Sequence, residues 1–414
     1  MSSALRVVGE GAACGLAFVI CAGEALAWQP VLFGKILGGV FVAASCSLGL
    51  LRRDRPACPA AFLWLLGLFV LCVVSLLWTV DPVATARASR HLMMEGALLV
   101  ALALWPWRLP LLRRIAQGGG AGALFLAVAL LWMFVSGEER GLRIAVGEGD
   151  PNLQARQLGL GLLLGLGVTG GHAAQAPSRG VWMSLSLALV AAALGVTGSR
   201  GAAVAVTCGL FAWIWTRRAR TGGRLPEAGP KGRPFSGAEL RVTAALVLCV
   251  GLGLGATALR GDLRSVVDTV RSGEREDWSS GRDAIWANSL DLWRERPVLG
   301  VGAAAVPSVY DEVRDERMAE GGLHSKRARD PHSLYLQLLV GLGPLGLLLL
   351  MAAGFAALGA VRGTPRSELG IALWVFLALS ALTQSTLELK DFWLGFAWMA
   401  LWASPPDRSQ TIVD

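Results

Sequence analysis

Apolar and polar positions in this chain alternate in long blocks rather than at short period. Mostly apolar runs lie at roughly 11 to 28, 31 to 51, 60 to 78, 91 to 107, 118 to 136, 153 to 170, 180 to 198, 200 to 216, 242 to 259, 333 to 358, 369 to 387 and 390 to 403, each about the length that crosses a bilayer. The pattern predicts an all-α polytopic membrane protein of about twelve transmembrane helices. Residues 1 to 259 hold the first nine spans and 333 to 414 the last spans and a tail. Between them, 260 to 332 form one large polar loop with short helices of its own.

Composition agrees, since 54% hydrophobic and 16% charged residues do not suit a soluble globular chain of 414 residues. The net charge of +8 would fit a nucleic-acid partner, but most of the excess sits in short loops between apolar runs, so no nucleic acid is expected. The seven cysteines lie in or beside apolar runs and suggest no disulfide framework. Ala25-Leu26-Ala27, after a short apolar core, has the form of a signal-peptidase site, although the many spans that follow favour an uncleaved first helix.

Charge also orients the chain. With the amino terminus in the cytoplasm, Arg52, Arg53, Arg55, Arg108, Arg113, Arg114, Arg362 and Arg366 fall inside, as does the basic, Gly- and Pro-rich connector at 217 to 241. That places the turn at 198 to 200 and the loops near 79 to 90, 137 to 152 and 260 to 332 outside. The long loop carries twelve Lys and Arg, which topology does not explain because long translocated loops escape the rule.

Three places on this outer face carry chemistry. In Thr197-Gly198-Ser199-Arg200-Gly201, Ser199 reads as a helix cap and Arg200 as first-turn. A cation opposes the helix dipole there, which an anion between arginine and backbone amides would explain, while a snorkelling interfacial arginine is the plainer alternative. Ser280-Gly281-Arg282-Asp283 has the form of a capping box; Trp286, Leu290 and Trp293 then mark an amphipathic surface helix ending before Pro297. Asp330-Pro331-His332 opens the next span, with Asp330 as cap, Pro331 at the first helical position and His332 one residue further in. The positive helix end would keep His332 neutral and able to accept a proton, and a structural role at the interface is the alternative.

Together, two arginines and helix amino termini suit a diphosphate without a metal, and a neutral histidine beside it suits proton removal from an attacking hydroxyl. No His, Cys, Asp or Glu cluster at ligand spacing stands on this face, so no metal or other cofactor is expected. Asp150 and Asn152 either order the loop near such a donor or make an ordinary turn. Glu95 and Lys35, inside apolar runs, suggest inner-cavity residues, and Trp28, Trp78, Trp105, Trp107, Trp132 and Trp393 suggest interface anchors.

The motifs around Thr197 to Gly201, Gly281-Arg282 with Trp286, Arg296-Pro297-Val298-Leu299-Gly300-Val301-Gly302, and His332-Ser333 with Gly341, Gly343 and Gly346 resemble, in order and spacing, the O-antigen ligase and polymerase superfamily. Asp150-Pro151-Asn152 looks like a further family element. Ser333 stands where asparagine is common, and Val340 where an acidic residue is frequent. The resemblance implies a GT-C-like, metal-independent inverting glycosyltransferase of the bacterial inner membrane, with its site facing the periplasm. It implies an undecaprenyl diphosphate-linked glycan as donor and the lipid A core or a growing glycan as acceptor. Arg200 and Arg282 then take the diphosphate and His332 activates the acceptor. Ligase is favoured over polymerase, and a small-anion transporter is the competing class.

Overall fold

A computed structural model describes residues 2–26, 30–51, 59–105, 109–136, 144–146, 150–169, 177–220, 282–310, 331–362, 364, 367–385 and 390–402. The expected span at 242 to 259 and most of the long loop lie outside them. Twelve α-helices are described: α1 (Ser2–Ala22), α2 (Pro30–Leu51), α3 (Ala60–Val74), α4 (Pro82–Leu104), α5 (Leu109–Ser136), α6 (Pro151–Thr169), α7 (Pro177–Val196), α8 (Arg200–Arg220), α9 (Arg282–Glu295), α10 (Leu334–Arg362), α11 (Ser367–Thr383) and α12 (Lys390–Trp402). Among the described residues four stretches are long and apolar enough to span a membrane by length and composition: Ser3–Ala22, Ala60–Leu77, Pro110–Ser136 and Leu334–Arg362.

Local chemistry explains where several helices begin. The Asp81 carboxylate accepts the Ala84 N–H at 2.9 Å with Pro82 as the next residue, so α4 starts about nine residues before its apolar run. The same Asp-Pro signal starts α6, where the Asp150 carbonyl accepts the Gln154 N–H at 3.1 Å. Leu65, Leu68 and Cys72 of α3 face the core, while Leu63, Leu66 and Val70 face outward, the two-sided apolar character of a helix between protein and lipid. Small residues let α8 lie close on α11: a Cβ at Gly201 would stand 2.8 Å from Thr383 Oγ1, and one at Gly209 3.0 Å from the Ala372 carbonyl oxygen.

Helix α10 is broken. Gly343 has φ 67° and ψ −170°, a region open only to glycine, and Pro344 follows without an N–H to give to Val340. The Val298–Gly302 segment repairs the break. Val301 donates to the Val340 carbonyl at 2.9 Å and Gly302 to that of Gly341 at 2.8 Å. A Cβ on Gly343 would lie 2.0 Å from the Val298 oxygen and one on Gly300 2.4 Å from the Val340 oxygen, so this approach needs both glycines. The segment is tied in turn to the end of α3: Val80 donates to the Val301 carbonyl at 3.0 Å and Trp78 Nε1 to that of Leu299 at 3.0 Å.

These bonds join the α3–α4 turn, residues 298–302 and the break in α10 at one end of the bundle. Some expected roles change. Trp105 and Trp393 are buried in the core and are not interface anchors, whereas Trp132 is exposed; Trp28 and Trp107 lie outside the described residues. Glu95 is buried on a cavity wall with Lys390, but Lys35 is exposed. Cys14, Cys21, Cys46, Cys72 and Cys208 are free thiols.

Candidate functional site

Asp150 and Asn152 form the first corner. The Asp150 carboxylate accepts the Asn152 N–H at 2.9 Å and its Nδ2 at 3.1 Å, an Asx arrangement that caps α6 and sets the Asn152 amide. The Asn152 Oδ1 then accepts the Ser199 hydroxyl at 2.9 Å, across 47 residues of chain. The Ser199 hydroxyl thereby ties the start of α8 to α6. Its carbonyl still accepts the Ala203 N–H at 3.0 Å, and Arg200 is the first residue of α8, exposed to solvent. Gly198, with φ 66°, lets the chain reverse between α7 and α8.

Arg282 begins α9 and is half-buried; Ser279, Ser280 and Gly281 lie outside the described residues. The amphipathic helix forms over Arg282–Glu295, but its buried face is Ile285, Asn288, Ser289 and Leu292, with Trp286, Leu290 and Trp293 on the flank. That position leaves Trp286 Nε1 to donate to the Pro331 carbonyl at 3.0 Å. Helix α9 is thereby fastened to the residue before His332.

His332 is not in a helix. Helix α10 begins at Leu334, and Ser333 starts it by accepting the Gln337 N–H on its carbonyl at 2.8 Å. His332 precedes it at φ 47°, an uncommon region for a side chain with a Cβ, and is exposed. The dipole argument for a neutral imidazole, which needed His332 inside the first turn, therefore lapses. Asp330, expected as the cap, lies outside the described residues. On the far side of His332 the Leu334 N–H donates to the Gln384 carbonyl at 3.0 Å, just past the end of α11.

Sequence reasoning missed a second tier beneath these residues. Arg156, one turn below Asn152 on α6, is 1% exposed and paired with Asp391 of α12, 3% exposed. Its Nε donates to Asp391 Oδ2, its Nη2 to Asp391 Oδ1 at 2.8 Å and its Nη1 to Gln384 Oε1 at 2.8 Å. The signal was present as two opposite charges inside the apolar runs at 153 to 170 and 390 to 403, where an unpaired charge is costly.

The bonds run continuously: Arg200 through Ser199 and Asn152 to α6, from Arg156 through Gln384 to Leu334 and His332, and from Pro331 through Trp286 to the helix of Arg282. All five expected site residues, Asp150, Asn152, Arg200, Arg282 and His332, belong to this one scaffold. Arginines at the first residue of α8 and of α9, at helix amino termini, form a setting suited to phosphate oxygens. An exposed histidine stands in the same frame. Among the described residues no group of three or more His, Cys, Asp or Glu could hold a metal ion. At the neighbouring turn, the Ala84 N–H and then the Ser308 hydroxyl hold the Asp81 carboxyl below its ordinary value of 3.8.

Residues 185–351 match the family model described as O-Antigen ligase. The match contains Arg200, Arg282 and His332 and the clamp of 298–302 on α10, and it makes this part of the chain similar to the O-antigen ligase superfamily. Asp150, Asn152, Arg156, Gln384 and Asp391 stand outside it. Among curated proteins, none matches the chain.

Proposed function

We propose, from the similarity of residues 185–351 to the O-antigen ligase family model and from the site geometry, that the protein is an inverting, metal-independent glycosyltransferase. It moves a glycan from an undecaprenyl diphosphate carrier to an acceptor hydroxyl at the periplasmic face of the bacterial inner membrane. The observation that carries the reading is the hydrogen-bonded scaffold joining the first residues of α8 and α9 to His332. Arg200 and Arg282 bind the diphosphate oxygens with planar, paired N–H groups. His332 takes the acceptor hydroxyl proton while that oxygen attacks the anomeric carbon from the face opposite the carrier. The bond from that carbon to the diphosphate oxygen breaks, the diphosphate leaves with the electron pair, and the arginines hold the added charge.

Within the superfamily, the ligase reaction onto the lipid A core is the preferred assignment, and polymerisation of repeat units on the carrier is the alternative. A broken helix would also suit a small-anion transporter. Here the carbonyls at the break are occupied by Val301 and Gly302 N–H groups, which favours a structural role for it. The test is to incubate the reconstituted protein with a polyprenyl diphosphate glycan, with and without lipid A core and in excess EDTA. Glycan on the core supports the ligase, and longer glycan on the carrier the polymerase. The absence of both products overturns the enzyme reading; loss of activity only in EDTA, restored by magnesium or manganese, overturns the metal-free one.

A further inference from the structure

We infer that Arg156 and Gln384 are positioning residues for His332, an assignment that rests on the glycosyl-transfer reading for its consequence but on geometry for its substance. The argument starts from cost. Burying an ion pair loses hydration that its mutual attraction repays only in part, and an apolar pair of similar volume commonly holds two helices together at least as well. Joining α6 to α12 therefore does not account for Arg156. An apolar residue lacks the third arm of the guanidinium fork: two donors grip Asp391, and the remaining Nη1 is aimed at Gln384 Oε1 at 2.8 Å.

Gln384 transmits that hold. Its side chain is fixed by Arg156 while its own carbonyl accepts the Leu334 N–H at 3.0 Å, two residues after His332. On the other side the Pro331 carbonyl accepts Trp286 Nε1 at 3.0 Å. His332 thus stands between two fastened neighbours, at a φ of 47° that a residue with a Cβ keeps only where its surroundings impose it. Without its side-chain contact to Arg156, Gln384 and the carbonyl by which it holds Leu334 lose their anchor, and the imidazole loses its fixed approach to the acceptor hydroxyl. Since Arg156 is on the same helix as Asn152, which holds Ser199 beside Arg200, α6 sets the histidine and one arginine in a common frame.

The test uses full-length protein in two forms: Gln384→Leu, which removes only the side-chain acceptor, and the double change Arg156→Met with Asp391→Leu, which leaves no buried charge unpaired. Both are expected to remain folded and keep the donor KM, Gln384→Leu at a lowered thermal midpoint because the buried Arg156 loses an acceptor, and to lose about ten- to a hundredfold in kcat, with Gln384→Glu recovering much of the loss by restoring an acceptor. The second readout needs no turnover. Carbethoxylation of His332 by diethyl pyrocarbonate, followed by mass spectrometry, is expected to change severalfold in rate in both forms, while His91 reacts as in wild type. Unchanged His332 reactivity in both forms overturns the positioning role. A wild-type protein that transfers no glycan overturns the glycosyl-transfer reading instead, and the His332 rates still decide this one.

Discussion

Replacing Gly343 by alanine tests whether the break in α10 is a built joint. At φ 67° and ψ −170° the new side chain meets torsional strain of about 1 to 3 kcal/mol. Its Cβ would also sit 2.0 Å from the Val298 oxygen, a contact that backbone relieves only by moving. If Val298–Gly302 lifts away, the Val340 and Gly341 carbonyls lose the N–H groups of Val301 and Gly302, at about 1 to 3 kcal/mol for each buried group left unsatisfied. The expected destabilisation is therefore about 1 to 3 kcal/mol if the segment stays and about 3 to 9 if both bonds go. Gly359→Ala on the same helix is the control, because a Cβ there meets nothing within 4 Å and alanine favours a helix interior by about 0.5 to 1 kcal/mol. Thermal unfolding of both variants in one detergent, followed by tryptophan fluorescence, makes the comparison. A Gly343→Ala midpoint equal to or above that of Gly359→Ala would refute the joint.

Arg282→Lys keeps the charge but not the planar fork, so transfer should fall by about a hundredfold or more, corresponding to roughly 2 to 4 kcal/mol; near-wild-type turnover would make Arg282 a surface cation. Single-cysteine labelling by an impermeant reagent on spheroplasts should modify Glu274→Cys and spare Gly229→Cys, and the reverse pattern would invert the orientation. Asp81, with its carboxyl held below the ordinary 3.8, should add stability that is fully present above that value and fades as pH falls through the lower folded value. Unfolding midpoints of wild type and Asp81→Asn should therefore converge only in acid, and a constant gap down to low pH would contradict the assignment.

What the sequence disclosed depended on the range of the interaction. Asp81-Pro82 and Asp150-Pro151 carry a local helix-start signal, since a cap and its amides are neighbours in the chain, although by apolar pattern alone 79 to 90 reads as loop and Asp150-Pro151-Asn152 as loop or turn. The amphipathic period of α9 was also legible, although the buried stripe runs through Ile285, Asn288 and Leu292 instead of the tryptophans. Asp330-Pro331-His332 misled for the same local reason: it reads as a cap and first turn, whereas the Trp286 and Gln384 bonds hold His332 outside the helix. Tertiary bonds override the local preference there. The Arg156–Asp391 pair joins residues 235 positions apart, so its charges were visible separately but their partnership was not. The serine at 199 was legible as a boundary residue, but the direction of its hydroxyl toward Asn152 depends on where α6 packs.

Donor binding and single-turnover transfer, compared between wild type and His332→Ala in reconstituted, folded protein, bear most directly on the proposed reaction. Arg200 and Arg282 remain in that variant while the proton acceptor is gone. Donor affinity should stay close to wild type, and transfer should fall by about a hundred- to ten-thousandfold. If His332→Ala transfers glycan at the wild-type rate, the histidine is only part of the backbone joint before α10, and the proposed mechanism is wrong.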